Sequence, residues 1–103
     1  MTKVYVSITE PVYMIEFYGH ATGSPETCSG ISALMYSLEG FLRNHEEDLT
    51  EHRASIPEDN TDAETYIRFA TTSEEVQGAF EMCLIGLLQI QNSYPKYCKV
   101  TVV

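Results

Sequence analysis

The sequence predicts an α+β domain, with a four-stranded, mostly antiparallel sheet and two helices packed on one of its faces, in the order ββαβαβ. Three observations carry this. Apolar residues alternate with period two near both ends of the chain but follow helical spacing in two long segments between. The first two alternating segments are joined by the short turn Glu10-Pro11, which suggests an antiparallel hairpin. The chain has 103 residues, 44% of them hydrophobic, enough for one domain spanning 1–103 whose core needs no metal or disulfide.

Lys3 to Thr9 reads as a strand with Val4, Val6 and Ile8 on one face. Val12 to Tyr18, rich in aromatic and β-branched residues, is the second. Gly19-His20-Ala21-Thr22-Gly23-Ser24-Pro25 then breaks the pattern as a turn. From Ile31 the period changes: Ile31, Leu34, Met35, Leu38, Phe41, Leu42 and His45 form one stripe of an amphipathic helix, capped by Thr27 or a neighbour. Gly30 and Gly40 weaken this helix slightly and can mark close backbone packing.

Glu46 to Asp62 is acidic and without period, and reads as a fraying helix end followed by a loop. A third strand is expected over Glu64 to Phe69. Thr72-Ser73-Glu74-Glu75 resembles a capping box with Thr72 as N-cap. The second helical stripe follows: Val76, Phe80, Cys83, Leu84, Leu87, Leu88 and Gln91. Its end is apolar on more than one side, which suggests a central helix. Asn92-Ser93-Tyr94-Pro95 ends it, and Tyr97 to Val103 is the fourth strand, with Cys98, Val100 and Val102 inward.

Charge and composition narrow the function. Six Lys and Arg against 15 Asp and Glu give a net charge of −9. Phosphate contacts need Lys and Arg, so no nucleic-acid partner is expected. The same field allows a basic protein partner, although solubility alone also accounts for it. No segment is apolar enough to span a bilayer and the N-terminus has no signal-peptide core, so the protein is expected to be cytoplasmic. Cys28, Cys83 and Cys98 are odd in number and form no CxxC pair, which argues against a disulfide framework and a structural zinc site, and no cofactor is expected.

One local constellation could carry chemistry. His20 ends the second strand, and Cys28 lies eight residues later at the start of the first helix, across a link containing Gly19, Gly23 and Pro25. A helix N-terminus presents unpaired N–H groups and partial positive charge, which stabilise a thiolate. A neighbouring imidazole can take the thiol proton and return it to a leaving amine. The N–H groups of Ser29 and Gly30 could hold an oxyanion. Taken singly, His20 is more often a polar turn residue and Cys28 a small packing residue. A zinc site from the two plus a carboxylate fits no common ligand spacing. Cys83 and Cys98 read as core, and His45 and His52 as solvated side chains in acidic surroundings. Tyr5, Tyr13 and Tyr18 could be a binding face, but tyrosine is favoured in sheets anyway.

The stretches Phe17-Tyr18-Gly19-His20-Ala21 and Cys28-Ser29-Gly30-Ile31-Ser32-Ala33-Leu34 resemble the ribosomal-processing (Prp) cysteine peptidase family. Gly86-Leu87-Leu88 through Tyr94-Pro95-Lys96-Tyr97 is similar to that family's last helix and strand. The resemblance implies a His20–Cys28 dyad, a homodimer, and removal of a short N-terminal extension from large-subunit ribosomal protein twenty-seven or a phage structural protein. It gives Gly19 a turn-shaping role. The link here is shorter than the family's, and Pro25 stands where an Asp is usual, leaving Glu26 as the candidate third member. The alternative reading is a non-catalytic dimeric binding module of the same fold, associating with ribosomal or phage proteins.

Overall fold

The computed structural model describes residues 1–57 and 64–103. It has five strands and two long helices: β1 (Thr2–Thr9), β2 (Val12–Tyr18), α1 (Pro25–Arg43), β3 (Leu49–Ser55), β4 (Thr65–Thr71), α2 (Glu74–Ser93) and β5 (Cys98–Val102). A single 3-10 turn, Glu46–Asp48, precedes β3. The sheet order is β3-β4-β2-β1-β5. β1 and β2 form the expected hairpin, with Val4 opposite Phe17 and Val6 opposite Ile15. β2 also pairs antiparallel with β4. β5 runs parallel to β1, Thr2 opposite Cys98, which makes the sheet mixed.

The strand β3 corrects the expected four-stranded sheet. Its sequence, Leu49-Thr50-Glu51-His52-Arg53-Ala54-Ser55, has no apolar alternation, and none of its residues is fully buried. It lies at the sheet edge, where only one side needs a partner and charged residues block further pairing. Backbone bonds to β4 and the Glu51–Arg68 ion pair (2.8 Å) hold it instead. The remainder of the expected loop, from position 58 to Asp62, lies outside the described residues.

Alternation separates the two faces of the sheet. Val4, Val6, Ile15, Phe17, Ile67 and Phe69 point inward and join Ile31, Met35, Leu38 and Leu42 of α1 and Val76, Phe80, Cys83 and Leu87 of α2 in one core. Tyr13 belongs to this core, stacked on Phe69 with ring centroids 5.3 Å apart. Ile8 and Val102 are exposed, because the helices do not reach those strand ends. The helices cross closely: a Cβ on Gly86 would sit 2.7 Å from a Leu34 methyl, and one on Gly30 3.0 Å from Ile90. Gly40 marks no such approach. α2 is not enclosed on all sides, since Leu88 is exposed.

Both caps differ from expectation by one to three residues. Ser24, not Thr27, caps α1, and Ser73, not Thr72, caps α2 by accepting from Val76 N–H. Thr27 is instead fully buried at the third helical position, its hydroxyl 2.7 Å from Ser24 Oγ.

Candidate active site

The His20-to-Cys28 link is a sequence of short-range constraints. β2 ends at Tyr18, and Gly19 turns the chain with φ +77°. A Cβ there would lie 2.6 Å from the Met1 carbonyl oxygen, so only glycine fits. His20 follows, exposed, with its carbonyl accepting from the Met1 amine at 2.8 Å. The buried Ala21 accepts from Ser24 N–H at 3.0 Å, closing a four-residue turn whose third position is Gly23 at φ +92°. The Tyr97 ring packs against this turn, about one van der Waals contact from Gly23. Ser24 then starts α1, with Pro25 at the first helical position, where its missing N–H costs nothing.

Cys28 is the fourth residue of α1 and exposed. Its thiol points back at the link and donates weakly to Ala21 O, at 3.8 Å. The sulfur therefore faces the carbonyl of the residue directly after His20. The other two thiols are closed off. Cys83 is buried and its pKa is pushed up to about 11 by loss of solvent. Burial also raises the pKa of Cys98. Of the three thiols, Cys28 is the exposed one.

Gly19 and His20 follow the end of β2, and Glu26 and Cys28 lie in the first turn of α1, on either side of one short link. Among the described residues no hydrogen bond joins His20 to Cys28. Glu26 is exposed at the second helical position, where a carboxylate also favours the helix dipole. Ser29 and Gly30 lie one turn further in, where helical geometry directs their N–H groups at the carbonyls of Pro25 and Glu26. Either amide would reach an oxyanion only by leaving that ladder. Thr27 N–H bonds Ser24 Oγ and Cys28 N–H bonds Ser24 O. Among the described residues, the first-turn amide still open to a ligand is that of Glu26.

Two residues expected to be solvated are not. His52 is 11% exposed in its side chain and lies 2.6 Å from both Glu39 Oε1 and Glu46 Oε1, on opposite ring nitrogens. Glu39 itself is buried and also meets Arg43, at 3.3 Å. Burial of the His52 ring opposes its protonation, but the two carboxylate bonds outweigh this and its pKa is raised. His45 stacks on Phe41 (4.0 Å) and donates Nδ1–H to the Phe41 carbonyl, which raises its pKa. Ser24 and Tyr97 were also missed by residue-level reading. The Ser24-Pro25 pair was a usable signal for the cap, whereas Tyr97 has none, because it arrives from the far end of the chain.

The open face of the sheet is a different surface. A shallow trough of about 470 Å³ runs over Glu16, Tyr18, Glu51, Tyr66 and Arg68. Tyr5 and Tyr18 pack edge to face beside it, while Tyr13 is inside the core.

Among solved structures, the ribosomal processing protease Prp of S. aureus, bound to a covalently linked product peptide, is 20% identical and superposes with a TM-score of 0.77 over 100% of both chains. The same S. aureus protein with a substrate peptide gives 0.66 at 16% identity, again over 100% of both chains. A Streptococcus mutans protein is 20% identical, with a TM-score of 0.74 over 100% of this chain and 97% of that one. No curated protein sequence matches. No helix among the described residues is long and apolar enough to cross a membrane. A family model for the cysteine protease Prp matches residues 1–99, nearly the whole chain including the His20–Cys28 link, and on that match the protein belongs to the Prp cysteine protease family.

Proposed function

We propose that the protein is a cytoplasmic cysteine endopeptidase that removes a short N-terminal extension from a basic protein, either large-subunit ribosomal protein twenty-seven or a phage structural protein. The observation that carries this is the exposed Cys28 thiol on the first turns of α1, aimed at the link that holds His20, in a chain whose other two thiols are buried. Cys28 Sγ attacks the scissile carbonyl carbon while His20 accepts the thiol proton. The tetrahedral oxyanion draws on the α1 N-terminus and the open Glu26 amide. Collapse breaks the C–N bond, and His20 returns the proton to the leaving amine. Water, deprotonated by His20, then cleaves the thioester, releasing the acid and restoring the thiol. Glu26 is proposed to orient His20, and the net charge of −9 to attract the basic segment. The working form is proposed to be a homodimer.

The rival reading, a non-catalytic binding module, draws on the missing His20–Cys28 hydrogen bond. It weighs less, because catalytic hydrogen bonds often tighten only when substrate is bound. The deciding experiment incubates the protein with the extended ribosomal protein and with a phage structural protein and reads the products by mass spectrometry. Cleavage that is lost equally in Cys28→Ser, His20→Ala and the double variant supports the dyad, since the two residues act as one unit. A folded Cys28→Ser protein that cleaves at the wild-type rate would refute it.

A further inference from the structure

We propose that the open face of the sheet carries a docking site for one lysine or arginine side chain of the substrate protein, with the Glu16 carboxylate at its centre and the rings of Tyr5, Tyr18 and Tyr66 around it. This rests on the peptidase reading above, and gives its basic substrate a place to be held apart from the bond that is cut. Strand register builds the site. Glu16 lies directly opposite Tyr5 of β1 on one side and Tyr66 of β4 on the other. Tyr18 stands two residues further along β2, on the same face as Glu16. The four side chains therefore share one patch. Tyr5 and Tyr18 hold each other edge to face, with ring centroids 5.6 Å apart, and the Tyr18 hydroxyl donates to Glu16 Oε2. The trough over Glu16, Tyr18 and Tyr66 continues into a second hollow of about 460 Å³ that reaches Tyr5 and Val103.

The charges decide what fits. Glu51, on the same face, is satisfied by Arg68 at 2.8 Å and Arg53 at 3.8 Å. Glu16 is half-buried, and among the described residues its side chain meets the Tyr18 hydroxyl and no cation. Lys3 stands opposite Tyr18 rather than Glu16, and makes no ion pair among the described residues. The bond to Glu16, loss of solvent and the nearby charge of Glu64 all raise the pKa of the Tyr18 phenol. The phenol therefore stays a neutral donor, and the patch keeps the negative charge of Glu16 and Glu64. A cation is drawn to the faces of aromatic rings, and a carboxylate among the rings adds its own attraction. An anion is repelled on both counts. Glu16 lies four residues before His20, so at most about 13 Å of extended backbone separates them. About four extended residues of substrate cover the same distance, so one segment can reach from the anchored side chain to the end of the sheet where the His20–Cys28 link lies.

Two measurements test this. In the first, acetylated tetralysine amide is titrated into isotope-labelled Cys28→Ser protein and followed by NMR. The backbone amides of Tyr5, Glu16, Tyr18 and Tyr66 should shift together, and Glu16→Gln should weaken binding roughly 10-fold. Glu81→Gln, which removes one charge from the exposed side of α2, should leave binding unchanged. Tyr66→Leu should weaken it and Tyr66→Phe, which keeps the ring face, should not; this pair decides the matter if Glu16→Gln disturbs the strands. Shifts gathered instead around Glu46, Glu47, Glu74 and Glu75, or equal weakening by Glu81→Gln, would overturn the site. Tighter binding of an oligouridylate at the same four amides would overturn the sign of its ligand. In the second measurement, Glu16→Gln cleaving the extended ribosomal protein should show KM raised roughly 10-fold at unchanged kcat, and an unchanged KM would overturn the docking role. If the wild type cleaves neither the ribosomal nor the phage protein, the peptidase reading fails, and the tetralysine titration decides the cation site by itself.

Discussion

Replacing His52 by alanine isolates the least anticipated interaction in the molecule. The imidazole bridges Glu39 on α1, Glu46 in the 3-10 turn and its own strand β3, so it ties an edge strand to a helix. Without it, the one partner left to the buried Glu39 carboxylate among the described residues is Arg43, whose side chain is 73% exposed and shields it weakly. A hydrogen bond to a charged group contributes about 1.5–3 kcal/mol. The bond to Glu39 counts in full, because both side chains are nearly closed to solvent. The bond to Glu46, 56% exposed, adds little. His52→Ala should therefore destabilise the fold by about 2 kcal/mol, or about 10 °C in Tm for a chain of this length.

The effect has a sign in pH. Both ring nitrogens face carboxylates, so the bridge needs the doubly protonated imidazolium, and the folded pKa lies above the unfolded one. Its contribution is fully present below the unfolded value of about 6.5 and is lost as pH rises through the raised folded value. The charged groups that face it are Glu39 on α1, with Arg43 paired to it, and Glu46 on the turn, whereas its strand neighbours Glu51 and Arg53 line the open face of the sheet. His45 titrates upward too, but it is present in both proteins and cancels in the difference. Urea unfolding of wild type and His52→Ala at pH 6 and pH 9 reads the difference directly. Equal stability at pH 6, or a difference that grows with pH, would refute the bridge.

Other expectations follow from single residues. Iodoacetamide under native conditions should label Cys28 long before Cys83 or Cys98, since burial withholds the latter two, and peptide mapping that finds equal labelling would count against the site. Gly19→Ala must place a Cβ 2.6 Å from Met1 O at positive φ, so it should cost at least about 1–2 kcal/mol by thermal melt and lower cleavage more than Tyr18→Phe does. Ser24→Ala removes the α1 cap and should cost about 1 kcal/mol in urea unfolding. Leu42→Ala empties a fully buried position between helix and sheet and should cost about 2–5 kcal/mol by the same measure.

The elements legible in the sequence are those whose apolar period reports burial directly. β1 and β2 alternate, and the helical stripes of Ile31 to Leu42 and Val76 to Leu87 fall on the core as spaced. β3 escaped because an edge strand held by backbone bonds and ion pairs needs no apolar face. The helix starts slipped by one to three residues because neighbouring hydroxyls compete for the cap, and only the fold decides between Ser24 and Thr27. At the site, the Gly-His-Ala and Cys-Ser-Gly stretches were readable because the whole link is local. Burial of His52 was not, since it depends on α1 and β3 approaching from 13 residues apart, as its bond to Glu39 records.

The parallel pairing of β5 with β1 also sets when the site can exist. Thr2 bonds the carbonyl of Tyr97, and the Tyr97 ring braces the Gly23 turn ahead of Cys28. A ribosome making this chain releases His20 and Cys28 early, yet the ring that braces their link is not made until some seventy residues later. Pairings of such long sequence separation are slow to close. A nascent chain stopped before Tyr97 holds His20 and Cys28 without the ring that packs on the turn between them. For the dyad proposed above, competence to cleave is then expected only once the last strand has docked.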